Sequence, residues 1–274
     1  MSSELRIAVF GITGRMGRAL ITAIDETPNA VLCGASVSPK SKWAGRKLSA
    51  LGIAADGEIS TDAASALLGA DVAIDFTLPQ ATSNNLSACV AANCPIVIGT
   101  TGHDGVQRAE IAAAATRIGI VAAPNMSLGV NLLLCLVELA AQKLDEGYDI
   151  EVFEAHHRNK KDAPSGTALA LGAAAAAGRR VSLGQVAEHD RHAASATRRR
   201  GAIGFSVFRG GDVVGDHTVS FAGIGERIEL THRASDRQAF ARGAVQASHW
   251  LAGRAPGLYS MQDVLGLRER SQGG

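Results

Sequence analysis

The first half of the chain alternates short apolar segments with helical segments, and this alternation constrains the fold more than any other feature. Continuous apolar runs bounded by turn residues are typical of strands buried on both faces of a parallel sheet. Because crossover helices join parallel strands, the pattern predicts an α/β fold with a Rossmann-type doubly wound parallel sheet. The predicted strands span residues 6–10, 31–37, 72–77, 95–99 and 119–123, and the predicted helices span 15–26, 79–93, 104–117 and 127–144.

The pattern changes in the second half of the chain. Three strand-like segments, at 203–209, 213–221 and 227–232, are separated by glycine-bearing turns without a helix. They predict a second α+β domain that contains a mixed, largely antiparallel sheet. The last helical segment is expected to return to the first domain. We therefore expect a dinucleotide-binding domain at 1–127 and 237–274, and a substrate-binding and oligomerisation domain at 128–236.

A glycine-rich turn follows the first predicted strand and opens the first helix. In a Rossmann domain the pyrophosphate of a dinucleotide binds at this place, on the amides of the helix N-terminus. The spacing is Gly-x-x-Gly-x-x-Gly, which departs from the usual Gly-x-Gly-x-x-Gly, and a purely structural turn is the alternative interpretation. The residues expected to contact the cofactor are Gly11, Ile12, Thr13, Gly14, Arg15 and Met16.

The segment after the second strand bears on the choice of cofactor. No carboxylate occurs between Ser36 and Lys42, where an acid that binds the adenine ribose is usual. Without that acid a 2′-phosphate is not repelled, so we predict that NADPH is used well alongside NADH. Two further loops at strand ends are expected to contact the nicotinamide, although both would also serve as ordinary turns. They contain Gly99, Thr100 and Thr101, and Ala123, Pro124, Asn125 and Met126.

Residues 154–167 combine histidines, lysines and a helix-start signal between a predicted strand and an alanine-rich helix. A proline before Ser165 is typical of a helix N-terminus, whose free amides form an anion site. Lys160 and His157 add positive charge for a second carboxylate, and His156 has a side chain suited to moving a proton near neutral pH. The pattern predicts a site for a small dianion that undergoes proton-coupled chemistry. The alternative is a solvated basic loop ahead of an ordinary helix cap.

Charge and composition argue against several classes of protein. A net charge of +1 gives a nucleic acid or a membrane surface little electrostatic attraction. The longest apolar segment, at 128–141, is shorter than the roughly 20 residues of a membrane span. There is no secretory signal pattern, and the four cysteines lack metal-ligand spacing, so we expect a cytoplasmic protein without a metal site. The three arginines at 198–200 are expected to form a solvated loop, with an oligomer contact or a substrate-facing arginine as alternatives.

Together these motifs resemble a known family, the 4-hydroxy-tetrahydrodipicolinate reductases of bacterial lysine and diaminopimelate biosynthesis, formerly called dihydrodipicolinate reductases. The resemblance extends over essentially the whole chain, and its most specific part is the signature at 154–167. It implies NAD(P)H-dependent reduction of a small cyclic dicarboxylate and a homotetramer built through the sheets of the second domain. Other matching segments are 14–18, 75–77, 99–102, 125, 129–131, 215–217 and 225–227.

The resemblance also implies roles for individual residues. His156 would be the general acid/base, and Lys160 the proton donor. Two departures, Val37 where many members carry an acid and Leu78 where some carry arginine, bear on the cofactor preference. The residues expected to hold the substrate are His157, Gly166 and Thr167, with Thr101 nearby.

Two other classes of protein remain as alternatives. Another two-domain nicotinamide-dependent dehydrogenase acting on a small carboxylate would share the domain plan. A semialdehyde dehydrogenase of this kind needs a nucleophilic cysteine in a polar loop, whereas Cys135 lies in an apolar helical segment. A non-catalytic nucleotide sensor would have no use for His156 and Lys160.

Overall fold

The computed structural model describes residues 4–53, 57–190 and 197–267. The chain divides into two compact units. The first unit comprises Met1–Leu128 and Arg237–Gly274, and the second comprises Gly129–Asp236. The assignment of dinucleotide binding to the first unit, and of substrate binding and oligomerisation to the second, stays a prediction.

Strands and helices alternate through the first half of the chain, as predicted. The strands are β1 (Leu5–Phe10), β2 (Ala30–Ser36), β3 (Ile59–Ser60), β4 (Val72–Asp75), β5 (Ile96–Ile98), β6 (Gly119–Ala122), β7 (Asp149–His156), β8 (Ala187–Glu188), β9 (Ile203–Arg209), β10 (Gly215–Ala222), β11 (Arg227–Ala234) and β12 (Gly257–Tyr259). The helices are α1 (Arg15–Asp25), α2 (Ala63–Ala66), α3 (Pro79–Ala91), α4 (Gly105–Ala114), α5 (Leu128–Lys143), α6 (Gly166–Gly178), α7 (Leu183–Val186), α8 (Gln238–Leu251) and α9 (Met261–Val264), together with a 3-10 helix at Leu48–Leu51.

The first unit is built around a parallel sheet with the strand order β12-β6-β5-β4-β1-β2-β3. Separate apolar clusters cover the two faces of this sheet, because successive side chains along each strand point to opposite faces. Ile7 and Val9 of β1 pack in one cluster with α1 and α8, whereas Ala8 and Phe10 pack in the other with α3 and α4. The strand order reverses between β1 and β4, and ligands of open α/β sheets bind at such a switch.

The second unit contains a sheet with the order β11-β10-β7-β9-β8. Strands β7, β10 and β11 pair in antiparallel fashion, whereas β9 pairs with β7, and β8 with β9, in parallel. The helix α6 crosses over between β7 and β9, and such a crossover returns the chain in the same direction. The sheet is therefore mixed, as predicted, but only half of it is antiparallel. Helices α5 and α6 cover its inner face.

Several short elements are absent from the sequence prediction. The edge strand β12 pairs in parallel with β6 and extends the first sheet by one strand. It has three residues, too few for a periodic pattern to be recognised. The helices α2, α7 and α9, with four residues each, escaped prediction for the same reason. No helix among the described residues is long and apolar enough to cross a membrane.

Arg198 shows that the prediction of a solvated loop at 198–200 was wrong for its first residue. The Arg198 side chain is 19% exposed, pairs with Asp149 at 2.9 Å and also pairs with Glu151. It donates further hydrogen bonds to the carbonyl oxygens of Ile150 and Ala202. Arg198 thus joins β7 to the chain that enters β9. The other two arginines of the run are more exposed and also pair with carboxylates.

Candidate active site

The predicted cofactor turn lies between β1 and α1, at the switch in strand order. Gly11 has φ +78°, a left-handed conformation that glycine adopts without steric cost. At Gly17 a Cβ atom would lie 2.3 Å from the carbonyl oxygen of Ile12 and 2.4 Å from that of Gly11. Both glycines are therefore required by the backbone geometry. The turn brings the helix close to the strand end, as dinucleotide binding requires.

The amides of this turn are divided between structural bonds and a potential ligand. The amides of Gly11 and Ile12 donate to the carbonyl oxygen of Ser36, at 2.9 and 3.2 Å. The first amides of α1, those of Arg15 and Met16, have no acceptor within the helix because of their position in it. The residues present fit a dinucleotide pyrophosphate, which would be held mainly at the helix start.

Asp75, at the end of β4, braces the neighbouring loops. Its buried carboxylate accepts hydrogen bonds from the amide and hydroxyl of Thr77 at 2.8 and 2.6 Å, and from the Thr100 hydroxyl at 3.0 Å. Its other oxygen accepts one from the Asn85 side-chain amide at 3.0 Å. Asp75 lies in the matching segment 75–77, but no role was predicted for it. A carboxylate that ends an apolar strand is the signal that would have indicated one.

A cavity of about 870 Å³ lies in the first unit at the carboxyl ends of β5, β6 and β12. Thr100, Thr101, Ala123 and Pro124, all predicted cofactor contacts, line it. The Met126 side chain is 1% exposed and packs in the core, so that only its main chain is placed to contact a ligand. The wall also contains Ile98, Ile111, Leu258, Arg108 and Asp263.

The two remaining loop residues predicted to contact nicotinamide shape the main chain. At Gly99 a Cβ atom would lie 2.3 Å from the ring of Phe76, so the loop can approach that ring only as glycine. The Asn125 side chain accepts a hydrogen bond from the amide of Ser127 at 2.9 Å. Both residues therefore fix loop conformation, which is compatible with a main-chain contact to a ligand.

The segment after β2 carries cations and an aromatic ring. Val37 is only 6% exposed, and it occupies the place where an acid for the ribose was expected. The ammonium of Lys42 and the guanidinium of Arg46 lie 5.9 and 5.5 Å from the ring centre of Trp43. Such cations would attract, rather than repel, a phosphate on the adenine ribose.

In the second unit, β7 ends in a buried charged cluster. Glu154 and His156 face inward, two residues apart, after the core residues of the same strand. The Glu154 carboxylate accepts from His156 Nδ1 at 2.5 Å and from the Ser165 amide at 2.8 Å. Arg209 of β9 donates to both carboxylate oxygens at 2.8 Å. Each oxygen of this buried carboxylate therefore accepts two hydrogen bonds.

These contacts determine the charges in the cluster. Burial acts to raise the pKa of Glu154, but the hydrogen bonds from Arg209, Ser165 and His156 outweigh it and hold that pKa below its usual range. Burial lowers the pKa of His156 and outweighs the opposing effect of the Glu154 carboxylate. At neutral pH Glu154 is therefore an anion that accepts a hydrogen bond from the Nδ1–H of a neutral imidazole. His156 Nε2 makes no hydrogen bond to any residue that the structure describes.

A second imidazole packs against the first. The rings of His217 and His156 meet edge to face, with centroids 5.1 Å apart. His217 Nε2 lies 3.2 Å from the Ser165 hydroxyl, which also caps α6 by accepting from the Ala168 amide at 3.1 Å. Burial, followed by the charge of His156, lowers the pKa of His217 to about 4. His217 is therefore neutral at physiological pH.

The other residues predicted to bind substrate lie around this cluster. The Lys160 ammonium pairs with Asp162 at 2.8 Å and is close enough to His156 to lower the pKa of that imidazole. Gly166 and Thr167 are the first two residues of α6. The half-buried His157 follows His156 directly. Within the described ranges no group of three or more histidine, cysteine or acidic side chains is arranged to hold a metal ion.

Family models match the chain over nearly its full length. The model described as dihydrodipicolinate reductase, N-terminus, matches residues 5–126, and the one described as dihydrodipicolinate reductase, C-terminus, matches residues 129–265. A relative named 4-hydroxy-tetrahydrodipicolinate reductase, from Thiobacillus denitrificans, is 53% identical over 266 residues, which are 97% of this chain and 100% of the relative. A relative of the same name from Alkalilimnicola ehrlichii is 53% identical over 96% of this chain and 99% of its own length.

A solved structure supports the same assignment. Dipicolinate-bound dihydrodipicolinate reductase from Paenisporosarcina sp. TG-14 is similar to this chain with a TM-score of 0.74 and 25% identity, over 94% of this chain and 98% of that one. Together with the strand orders above, this likeness confirms the predicted fold class. The chain is an NAD(P)H-dependent oxidoreductase, and it belongs to the dihydrodipicolinate reductase family.

Proposed function

We propose that the chain reduces 4-hydroxy-tetrahydrodipicolinate to tetrahydrodipicolinate in lysine and diaminopimelate biosynthesis. In this reaction the substrate loses water and gains one hydride and one proton. The names of the relatives support this substrate. The observation that carries the proposal is His156, whose Nδ1 is held by a buried carboxylate at a strand end, next to the start of α6. That arrangement provides a proton-transfer group beside an anion site.

A reduced nicotinamide supplies the hydride when it is bound. We assign the pyrophosphate to the turn from Gly11 to Met16, and the nicotinamide to Gly99–Thr101 and Ala123–Met126. The close backbone approach at Gly17 and the cavity beside Thr101 support this assignment. The hydrogen bonds of the buried Asp75 to Thr77 and Thr100 would hold the ends of β4 and β5 in place for the cofactor.

We assign the two substrate carboxylates to the start of α6 and to the neighbouring cations. Gly166 and Thr167 provide the first amides of a helix, which favour a bound anion. His157 and Lys160 would neutralise the second carboxylate. The dipicolinate-bound neighbour supports a ring dicarboxylate as the ligand. A contact between Thr101 and substrate stays a prediction.

The proton is assigned to His156 Nε2, assisted by Lys160. His156 is neutral at pH 7 in the absence of substrate, because burial lowers its pKa. A dianion bound beside the imidazole would raise that pKa, since nearby negative charge favours the imidazolium. Substrate binding would thus favour protonation of His156, the group that must then release a proton. Lys160, held by Asp162, is a second cation at the same place.

We further propose that NADPH is used at least as well as NADH. The buried Val37 and the cations around Trp43 support this preference. The functional test is the rate of nicotinamide oxidation with substrate generated by a synthase, with each reduced cofactor in turn. We expect turnover with both cofactors and a kcat/KM with NADPH no lower than with NADH. A strong preference for NADH would contradict the cofactor assignment. The substrate assignment would be contradicted if nicotinamide oxidation were no faster with the synthase than without it.

We also propose a homotetramer that assembles through the sheets of the second unit. The outer face of this sheet exposes two large aromatic side chains, Phe153 (44% exposed) and Phe208 (56% exposed). They lie on the neighbouring strands β7 and β9, whose parallel register places both on the face opposite Glu154. Exposed apolar side chains grouped on one sheet face are typical of a protein interface.

A further inference from the structure

Glu154 and Arg209 form a buried ion pair with more hydrogen bonds than the stability of the sheet requires. Each carboxylate oxygen accepts two hydrogen bonds, and the Glu154 side chain is 1% exposed. Replacing a buried ion pair by apolar residues is often neutral or stabilising, so stability alone is a weak reason for its presence. Its position, in contact with the proposed acid/base, indicates another reason.

We infer that Glu154, held by Arg209, is a positioning residue that fixes the tautomer and orientation of His156 so that Nε2 serves in proton transfer. The inference rests on the proposed function, because it assigns a task to the proton-transfer group of that proposal. A carboxylate that accepts a hydrogen bond from one imidazole nitrogen places the proton on that nitrogen and leaves the other as the reacting atom.

The geometry supports each step of this inference. Glu154 and Arg209 are held in place independently of His156, since the Ser165 amide donates to Glu154 and the Asp162 carbonyl accepts from Arg209 at 2.6 Å. The carboxylate therefore has a fixed position before the imidazole contacts it. Because Glu154 Oε2 lies 2.5 Å from His156 Nδ1, rotation of the ring about its axis would cost that hydrogen bond.

Arg209 has a separate part in the arrangement. Two parallel hydrogen bonds to the carboxylate keep Glu154 ionised, so that it accepts a hydrogen bond from His156 without taking the proton. Among the residues that the structure describes, the charged or titratable groups that face His156 are Glu154 on its own strand, Arg209 on β9, His217 on β10 and Lys160 in the following loop. Of these, only Glu154 is an anion, so its removal has a predictable sign.

The test compares Glu154→Gln with a matched control, Glu151→Gln. Glu151 is also a β7 carboxylate paired with an arginine, but it does not contact His156. For Glu154→Gln we expect kcat to fall by about 10- to 100-fold while the KM values change by less than about threefold, as for lost orientation of a proton-transfer group. The control should keep wild-type kcat within about twofold, since its partner Arg198 lies outside the site.

Two readouts separate positioning from a general loss of structure. The limb of the pH–rate profile that belongs to His156 is the one that disappears in His156→Gln. In Glu154→Gln this limb should move to lower pH by about one unit, because the His156 imidazolium loses its anionic partner. Nitrogen-15 NMR of histidine-labelled protein should show neutral His156 protonated at Nδ1 in the wild type and as a mixture of tautomers in Glu154→Gln. Glu154→Asp, which keeps the charge, should keep the position of the limb and show an intermediate kcat.

The double variant His156→Gln/Glu154→Gln distinguishes the inference from the proposed function. If Glu154 acts through His156, the second substitution should lower kcat by less than about threefold in the His156→Gln background. The inference would be overturned if Glu154→Gln kept the wild-type kcat, pH profile and His156 tautomer while His156→Gln lost turnover. That result would leave the proposed function intact. Wild-type turnover in His156→Gln would instead contradict the proposed function. Additive losses in the double variant would show that Glu154 has only a structural role.

Discussion

At the scale of the residue, His217 links the proposed site to acid stability. Its pKa is lowered to about 4 by burial, whereas an unfolded histidine titrates near 6.5. As the pH falls below about 6.5, the unfolded chain binds a proton that the folded chain does not, so the free energy of unfolding decreases. The decrease continues to about pH 4 and amounts to about 3 kcal/mol for this one group.

We predict that His217→Gln makes the free energy of unfolding less dependent on pH between 6.5 and 4. Denaturant unfolding of the wild type and the variant at several pH values measures this directly. Burial also lowers the pKa values of His156 and His232, which remain in both proteins and keep part of the slope. Glu154 contributes to the pH dependence of the free energy of unfolding at lower pH, because its pKa in the folded protein lies below the ordinary carboxyl value. Identical slopes in the two proteins would contradict the assignment.

Individual residues also show what the sequence could and could not predict. His156, Lys160 and the start of α6 are neighbours in the chain, so a local motif indicated a common site. The contacts of Glu154 with Arg209 and of Ser165 with His217 join residues 55 and 52 positions apart. Such pairs depend on the strand order of the second sheet, which the spacing of residues in one sequence does not reveal.

At the scale of the element, apolar periodicity predicted the long helices and the buried strands with small errors at their ends. The helix predicted at 104–117 spans Gly105–Ala114, and Asp104 caps its start. Helix ends are set by caps and by the last-turn hydrogen bonds rather than by periodicity, which explains these differences. The parallel entry of β9 into the second sheet was not predicted, because the residues of a strand do not encode its direction relative to its neighbours.

The glycines of the predicted cofactor turn show how local geometry relates to the proposed function at this scale. The sequence identified the turn by its spacing, and the structure gives the physical reason for two of its glycines. Gly11 adopts a positive φ, and Gly17 lies where a Cβ would overlap two carbonyl oxygens. The altered spacing, with two residues between Gly11 and Gly14, still lets the amide of Gly14 donate to the carbonyl oxygen of Gly11 at 3.0 Å.

At the scale of the whole molecule, the exposed outer face of the second sheet leads to a prediction about assembly. We expect light scattering to give a mass in solution about four times the chain mass of 28.2 kDa. Phe208→Glu should shift this mass to a smaller species, because it places a charge within the proposed interface. Leu68→Glu, at an exposed apolar position of the first unit, is the control and should keep the wild-type mass. A wild-type mass equal to one chain would contradict the homotetramer.

The central claim is that the cluster at the end of β7 protonates a dianionic substrate through His156. It is tested most directly by the turnover number of His156→Gln with synthase-generated substrate and saturating NADPH. We predict a fall in kcat on the order of 10²-fold, with the dissociation constant for NADPH changed by less than about threefold, because the residues proposed to bind the cofactor lie in another unit of the chain. A His156→Gln enzyme with the turnover of the wild type would contradict the account.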